Sequence, residues 1–157
     1  MNDATARPAG ARVLGVDLGT KRIGLALSDT TRTIASPHTV LTRAAAVSDD
    51  HAAICKIVRD EGVDTVVVGL PLSLSGRSGP AARAARIEID ALARALVGIA
   101  EVRTHDERLT TVSAERALRA ARVTKHDQRA LVDKVAAAVM LQAFLDGEAA
   151  RPGRVAT

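Results

Sequence analysis

The stretch RVLGVDLGTKRIGLA, residues 12–26, decides which fold to expect from this chain. Its first half is an apolar strand that ends near Asp17, Gly19 then permits a tight return, and RIGLA is typical of a second strand. A carboxylate at a strand end, beside backbone that side chains do not crowd, is well placed to bind a divalent cation or a phosphate group. The stretch therefore indicates chemistry on phosphate.

The composition predicts one domain with a core of small aliphatic side chains. The chain has 157 residues, of which 47% are hydrophobic, and Phe144 is its only aromatic residue. Stacking of nucleic-acid bases on platforms of aromatic side chains is therefore essentially excluded. The formal net charge of +4 is compatible with a polyanionic partner that is held through charge.

The chain has no apolar stretch typical of a signal peptide or a membrane span, so we expect a cytoplasmic protein without a membrane partner. The single cysteine, Cys55, cannot form an internal disulfide. It lies at the edge of the helical stripe Ile54, Ile57 and Val58, which predicts a buried small hydrophobe. The alternative is an oxidation-sensitive cross-link between two chains.

The hydrophobic periodicity predicts an α/β fold with a mixed five-stranded sheet flanked by helices. The first three strands are expected to be antiparallel and the later ones parallel. Strands are predicted at residues 13–17, 23–28, 36–41, 65–69 and 101–104, and helices at about 48–61, 80–97, 113–120 and 132–147. We expect Ser48 or Asp49 to cap the first helix, Pro80 to start the second, and residues 122–129 to form a basic loop. The domain would span residues 12–147, with disordered tails at 1–11 and 148–157.

Three strands of this sheet are expected to end at one edge. Right-handed crossovers place the first strand, TVVVG and EVRT side by side, and open α/β sheets bind ligands where such strands end. Asp17 ends the first of them, Asp106 and Glu107 follow the third, and Asp133 is expected in the first turn of the last helix. Because these carboxylates would repel one another, two Mg²⁺ or Mn²⁺ ions are predicted between them, as in phosphodiester hydrolysis.

Each acid also has an ordinary structural explanation. Asp17 could accept hydrogen bonds from the N–H groups of its own turn. Asp106 and Glu107 could pair with neighbouring arginines, and Asp133 could be a helix-start charge that the macrodipole favours.

Basic residues near the predicted edge are candidates for holding backbone phosphates, although for each residue taken singly a solvated surface charge is the simpler explanation. They are Lys21, Arg77, Arg83, Arg86, Arg108, Lys125 and Arg129. His105 and His126 could assist proton transfer near neutral pH.

Four motifs, VDLGTKRIGLALSD, VVVGLPLSLSG, THDERLTT and LVDKVAAAVMLQAFLDG, together resemble the YqgF family, also called RuvX, over roughly residues 12–147. The resemblance implies a RuvC-like, RNase H-like fold and a nuclease that processes the 5′ end of precursor 16S ribosomal RNA, with Holliday-junction resolution as a related assignment. It also implies that Asp17, Glu107 and Asp133 are the catalytic, metal-binding acids, with Asp106 as a second candidate. Pre-rRNA or branched DNA, and ribosomal particles, would be the partners.

The chain departs from the family pattern at two places. Arg129-Ala-Leu-Val precedes Asp133 where the family usually carries a lysine just before the acid, and Gly69-Leu70-Pro71 stands where RuvC resolvases place a further acid. Two alternatives are a non-catalytic RNA-binding or ribosome-assembly factor and an actin-like ATPase, although one lobe is short for the latter. A junction substrate would favour a homodimer with two sites, whereas trimming of one RNA end needs only one.

Overall fold

The computed structural model describes residues 11–71, 79–106 and 125–151, with the side chains of residues 125–130 left out. It contains five strands and three helices in these ranges, and the helix predicted at 113–120 lies outside them. The elements are β1 Arg12–Leu18, β2 Arg22–Ser28, β3 Ala35–Thr42, α1 Val47–Asp60, β4 Val63–Leu70, α2 Pro80–Ala95, β5 Glu101–Asp106 and α3 Lys125–Ala149.

The five strands form one sheet in the order β3-β2-β1-β4-β5. The pairs β1·β2 and β2·β3 are antiparallel, whereas β1·β4 and β4·β5 are parallel. The predicted mixed α/β sheet is therefore confirmed, and β1 lies at its centre. The carboxyl ends of β1, β4 and β5 meet at one edge, because these three strands run in the same direction.

The two faces of the sheet carry different layers. Side chains along β1 alternate, so that Leu14 and Val16 belong to the core beneath α1 and α2, and Val13 belongs to the core beneath α3. Ile54 of α1 and Leu92 of α2 are fully buried in the first core. Each face thus has its own apolar layer, and α3 covers the second face.

Two glycines let α3 lie directly against β1 and β2. A Cβ atom at Gly24 would stand 2.1 Å from the carbonyl oxygen of Asp133, and one at Gly15 would stand 2.9 Å from Cβ of Leu141. No side chain fits at either distance without a shift of the helix. This close contact sets the position of Asp133 over the sheet.

The ends of two helices differ from the prediction. Helix α1 begins at Val47 after Ala46, without a side-chain cap, so neither Ser48 nor Asp49 has the predicted role. Asp50 instead accepts a hydrogen bond of 2.8 Å from the N–H of Ala44. The preceding loop is thereby fixed to the first turn of α1.

Helix α3 begins at Lys125, so the predicted basic loop is helical from that residue and Asp133 lies well beyond the first turn. No glycine or proline interrupts the segment KHDQRALVD, and most of its residues favour helix. The helix also continues to Ala149, beyond the expected end at Gly147.

Cys55 is buried, with 8% of its surface exposed, and its Sγ lies 3.8 Å from the carbonyl oxygen of Ala95. The prediction of a buried small hydrophobe is confirmed, and a cross-link between chains would need this position to open. Among the described residues, no helix has both the length and the apolar character that a bilayer span requires.

Candidate functional site

The turn between β1 and β2 places Asp17 at the edge of the sheet. The N–H of Gly19 donates a hydrogen bond of 3.1 Å to the carbonyl oxygen of Asp17. A Cβ at Gly19 would lie 2.4 Å from the carbonyl oxygen of Arg22, so this tight turn needs a glycine. Asp17 itself is partly buried. Its carboxylate therefore sits beside a stretch of closely packed backbone, as the sequence predicts.

Asp17 and Asp133 both lie next to Gly24, Asp17 beside it in the sheet and Asp133 above it. Asp17 is the cross-strand partner of Gly24, and partners in an antiparallel pair stand about 5 Å apart with side chains on the same face. Gly24 faces the backbone of Asp133 on that same side of the sheet. The structure thus brings together two of the three predicted acids, from the first strand and the last helix.

Arg22 contacts one of these acids and was not a candidate from the sequence. Its Nε donates a hydrogen bond of 2.6 Å to Oδ2 of Asp133, and the two side chains are 31% and 23% exposed. The guanidinium places a positive charge between the sheet edge and α3, where acids from both would otherwise repel. A pair separated by 111 residues leaves no signal in a single sequence, although Arg22 lies within the KRIG segment.

A second arginine, Arg43, supports the turn from the opposite face. Its Nε donates to the carbonyl oxygen of Gly19 at 2.9 Å, and its backbone N–H donates to the carbonyl oxygen of Lys21 at 3.0 Å. Its guanidinium also contacts Glu88 of α2 at 3.0 Å and Asp50 of α1 at 3.2 Å. One side chain therefore joins both helices of that layer to the turn that follows Asp17.

The ion pair with Glu88 is strong enough to move both pKa values. The hydrogen bond that Arg43 donates to Glu88 is the main cause that raises the pKa of Arg43. Burial acts to raise the pKa of Glu88, but the hydrogen bond and the charge of Arg43 outweigh it, so that this pKa is lowered. Both groups are charged at neutral pH, and the turn is fixed by a charged contact.

The alternation of side chains along β5 gives a direction to Asp106, the last residue of the strand, but not to Glu107, which follows it. Arg103 and His105 face α3, because Arg103 bonds to Glu148 and the ring of His105 meets the ring of Phe144. Asp106 is next in the strand and so points to the other face. It therefore does not share the α3 face with Asp17, and Glu107 lies outside the described residues.

His105 is a poor candidate for proton transfer. Burial lowers its pKa, with a smaller opposing effect of the charge of Asp106. Its Nε2 is buried and has no hydrogen-bond partner among the described residues. The ring is therefore neutral near pH 7, and it packs edge-on against the ring of Phe144. The side chain of His126 lies outside the described part of the chain.

The predicted phosphate contacts are distributed over different parts of the molecule. Lys21 is exposed on the β1–β2 turn, next to the acids. Arg83 and Arg86 are exposed on the first turns of α2, in the layer on the opposite face from α3. Lys125 and Arg129 belong to the start of α3, but their side chains are not described, and Arg77 and Arg108 lie outside the described residues.

The donors at the edge suit a hard divalent cation. Carboxylate oxygens are the ligands that Mg²⁺ and Mn²⁺ prefer, and Asp17 and Asp133 supply them from two rigid elements. The guanidinium of Arg22 already binds one of these carboxylates with a positive charge. Among residues whose side chains are described, no three acids, histidines or cysteines form a metal cluster, and the third predicted ligand is Glu107.

Comparison of the sequence with known proteins identifies the family of this chain. The model of the family described as "RuvX: Holliday junction resolvase" matches residues 11–147. A relative from Anaeromyxobacter dehalogenans is 49% identical over 139 residues, which cover 88% of this chain and 98% of the relative. A relative from Kineococcus radiotolerans is 46% identical over 144 residues, covering 90% and 76%. Both carry the name "Putative pre-16S rRNA nuclease".

Among solved structures, Thermus thermophilus RuvC in complex with a Holliday junction substrate has a similar fold. The TM-score is 0.58 at 17% sequence identity, and the match covers 89% of this chain and 96% of that one. At this identity the likeness concerns the fold alone. The RuvX model spans nearly all of the domain, and the relatives share almost half of their residues with it. This chain therefore belongs to the RuvX family.

Proposed function

We propose that this protein is a metal-dependent nuclease that hydrolyses phosphodiester bonds in the 5′-end processing of precursor 16S ribosomal RNA. The observation that carries the proposal is the placement of Asp17 beside Gly24 and of Asp133 above it, at the edge where three parallel strands end. Two carboxylates fixed there by rigid backbone contacts match the donor set of a magnesium-dependent phosphodiesterase.

Asp17 and Asp133, with Glu107 as the third ligand, would hold Mg²⁺ or Mn²⁺, with two ions expected. When bound, such ions supply an activated water and stabilise the charge that develops on the leaving oxygen. The protein contributes geometry. Gly24 lets α3 bring Asp133 onto the sheet, and the Gly19 turn holds the end of β1.

Arg22 and Lys21 have distinct parts in this proposal. Before a cation binds, the hydrogen bond from Arg22 aims the carboxylate of Asp133 and reduces its repulsion of neighbouring acids. Lys21 is exposed on the adjacent turn, where its charge can hold a backbone phosphate without reading sequence. Arg83 and Arg86 would contact the substrate only if it extends around the edge toward α2.

The choice of RNA rests on the relatives. The relatives at 49% and 46% identity carry a name that refers to pre-16S rRNA. If the same substrate applies here, ribosomal particles are the expected setting. A junction resolvase is the second candidate, favoured by the description of the family model, and it would act as a homodimer with two sites. Membership of the RuvX family argues against the actin-like ATPase.

The deciding experiment compares cleavage of two labelled substrates by the purified protein, with Mg²⁺ or Mn²⁺. One substrate is RNA with the precursor 16S 5′ end, and the other is a four-way DNA junction. Metal-dependent cutting of the RNA supports the proposal, and symmetric cutting of the junction alone supports the resolvase. Absence of cutting on both would favour a non-catalytic RNA-binding or assembly role.

Variants at the end of β5 sharpen this experiment. Glu107→Gln is expected to abolish cutting, because Glu107 is the proposed third ligand. Asp106→Asn removes the neighbouring carboxylate, which points to the other face, and should retain most of the activity. The reverse result would assign the third ligand to Asp106 and overturn this part of the proposal.

A further inference from the structure

A cavity of about 250 Å³ lies between β5 and the last turns of α3. Its walls include Arg103 and His105 from the strand and Phe144, Glu148 and Arg151 from the helix end. Pockets for whole small molecules usually measure about 300–1,000 Å³, so this one suits a smaller group. A single nucleobase is a group of that kind.

Three flat groups meet in this cavity. The guanidinium carbon of Arg103 lies 5.4 Å from the centre of the Phe144 ring. The ring of His105 meets the same ring edge-on, with centroids 6.4 Å apart. Unpaired bases bind proteins by stacking on aromatic rings and on arginine planes. The chain has no aromatic platform, but its one aromatic residue forms a single stacking position with an arginine.

The same cavity carries positive charge that is held in place. Arg103 and Arg151 each contact a different oxygen of Glu148, both at 3.3 Å. A guanidinium has five N–H donors, so each arginine can still donate to a phosphate while it contacts Glu148. Two arginines against one carboxylate leave the cavity cationic, and the side chain of Arg151 is 67% exposed and accessible to a ligand.

The cavity and the two acids share one face of the sheet. Gly69 of β4 is the partner of His105, and Val68 before it is the partner of Val16 in β1. His105 is therefore two strands, about 10 Å, from Asp17. Phe144 lies farther from the other acid, because eleven helical residues, about 16 Å, separate it from Asp133. At about 3.4 Å per stacked nucleotide, a strand cut at the acids would therefore reach the cavity within about three to five nucleotides.

We propose that this cavity binds one unpaired nucleotide of the substrate strand, with its base against Phe144 and Arg103 and its phosphate on Arg103 and Arg151. The inference rests on the proposed nuclease function, since the strand held here is the strand cut beside Asp17. The substrate is then a nucleic acid with a single-stranded segment close to the scissile bond. A fully paired duplex cannot offer a base to the cavity.

The test is direct binding in an Asp17→Asn background, in which the strand is not cut. The probes are a labelled six-nucleotide single-stranded RNA with a 5′ phosphate and a blunt duplex of the same sequence, measured by fluorescence anisotropy. Phe144→Leu combined with Arg151→Gln should weaken single-strand binding about tenfold and duplex binding less than about threefold. Arg94→Gln, an exposed arginine on α2, is the charge-matched control and should change neither.

If Phe144→Leu disturbs packing, Arg151→Gln alone still tests the inference, because a substitution at this exposed position should leave the fold intact. It should weaken single-strand binding about threefold with an unchanged melting temperature. An equal loss for duplex and single strand, or no loss in either, would overturn the inference. The wild type could cut no RNA while the variants still lose more single-strand binding than duplex binding. In that case the proposed nuclease function fails, whereas the cavity is still supported as a nucleotide-binding site.

Discussion

Two contacts between an arginine and a carboxylate lie on opposite faces of the sheet and differ in construction. Arg22 gives Asp133 one hydrogen bond of 2.6 Å, and about a quarter to a third of each side chain is exposed. Arg43 gives two hydrogen bonds to Glu88, one to Asp50 and one to the carbonyl oxygen of Gly19, and only 17% of its side chain is exposed.

The contact of Arg22 with Asp133 can therefore open, whereas the cluster of Arg43, Glu88 and Asp50 holds the surrounding elements in place. We call this cluster the frame. A single, partly exposed hydrogen bond can be exchanged for a cation or a phosphate at modest cost. A buried cluster with several donors cannot lose a member without leaving charges unpaired. The side of the sheet beneath α3 is therefore suited to chemistry, and the side beneath α1 and α2 keeps the turn after Asp17 in place.

The largest expected effect comes from removing an acid on the α3 side. Asp17→Asn should lower metal-dependent cleavage at least about a thousandfold, because the ions contribute several kcal/mol to the transition state. The melting temperature should stay near that of the wild type, since the substitution keeps the size of the side chain. Single-turnover cleavage of labelled RNA gives the rate.

Asp60→Asn is the matched control for this prediction. Asp60 is exposed at the end of α1, where it pairs with Lys56 at 2.5 Å. Its loss should leave cleavage within about twofold, because such surface pairs contribute little. Unchanged cleavage in Asp17→Asn would place the chemistry elsewhere.

Next in size is the loss of the close contact between β2 and α3. Gly24→Ala would put a methyl group 2.1 Å from the carbonyl oxygen of Asp133, so we expect a loss of about 3 kcal/mol in the free energy of unfolding. Urea denaturation measures it. Gly147→Ala is the counterpart, because a Cβ there meets nothing within 4 Å and alanine favours the helix. It should be neutral or stabilising by about 0.5 kcal/mol.

A paired substitution tests the two arginine contacts directly. Arg43→Gln should cost about 2 kcal/mol of unfolding free energy, since Asp50 is only 3% exposed and would lose a charged partner. Arg22→Gln should cost less than about 1 kcal/mol. Urea denaturation of both variants under the same conditions gives the comparison. Equal losses would contradict the distinction between an opening contact and a frame.

The smallest effect concerns the pH dependence of the frame. The pKa of Glu88 is lowered from its ordinary value of 4.5, so its contribution is complete above pH 4.5 and is lost as the pH falls through the lower, folded value. Glu88→Gln should be less stable than the wild type by about 1 kcal/mol at pH 7. The gap should narrow below pH 4.5. A gap of constant size at all pH values would show that the charge is not what stabilises the cluster.

The order of the elements could be predicted because it depends on local patterns. The apolar strand up to Asp17, the glycine turn and the buried run TVVVG each leave a signal within a few residues. Right-handed crossover rules then place the parallel strands side by side. Those steps require no knowledge of long-range contacts, and the sheet order confirms them.

The site could be predicted only in part. Asp17 was identified from its own strand, whereas Asp133 was expected in a first turn that actually begins earlier, at Lys125. A local signal for that start does exist, because Thr124 stands directly before Lys125 and threonine is a residue type that often precedes a helix. Arg22 and Arg43 were missed because their partners are 111 and 45 residues away. The role of Glu107 stays a prediction, since that residue lies outside the described part of the chain.

The contact between Gly24 and Asp133 also bears on the order in which the protein is made. Strands β1 and β2 end at Leu18 and Ser28, whereas α3 begins only at Lys125, so the glycine-lined face of these strands has no cover until that helix has been made. Asp17 and Asp133 can meet only after α3 has been made. Under the proposed function, a nascent or truncated chain without α3 lacks one of the metal-binding acids and is therefore expected to be inactive.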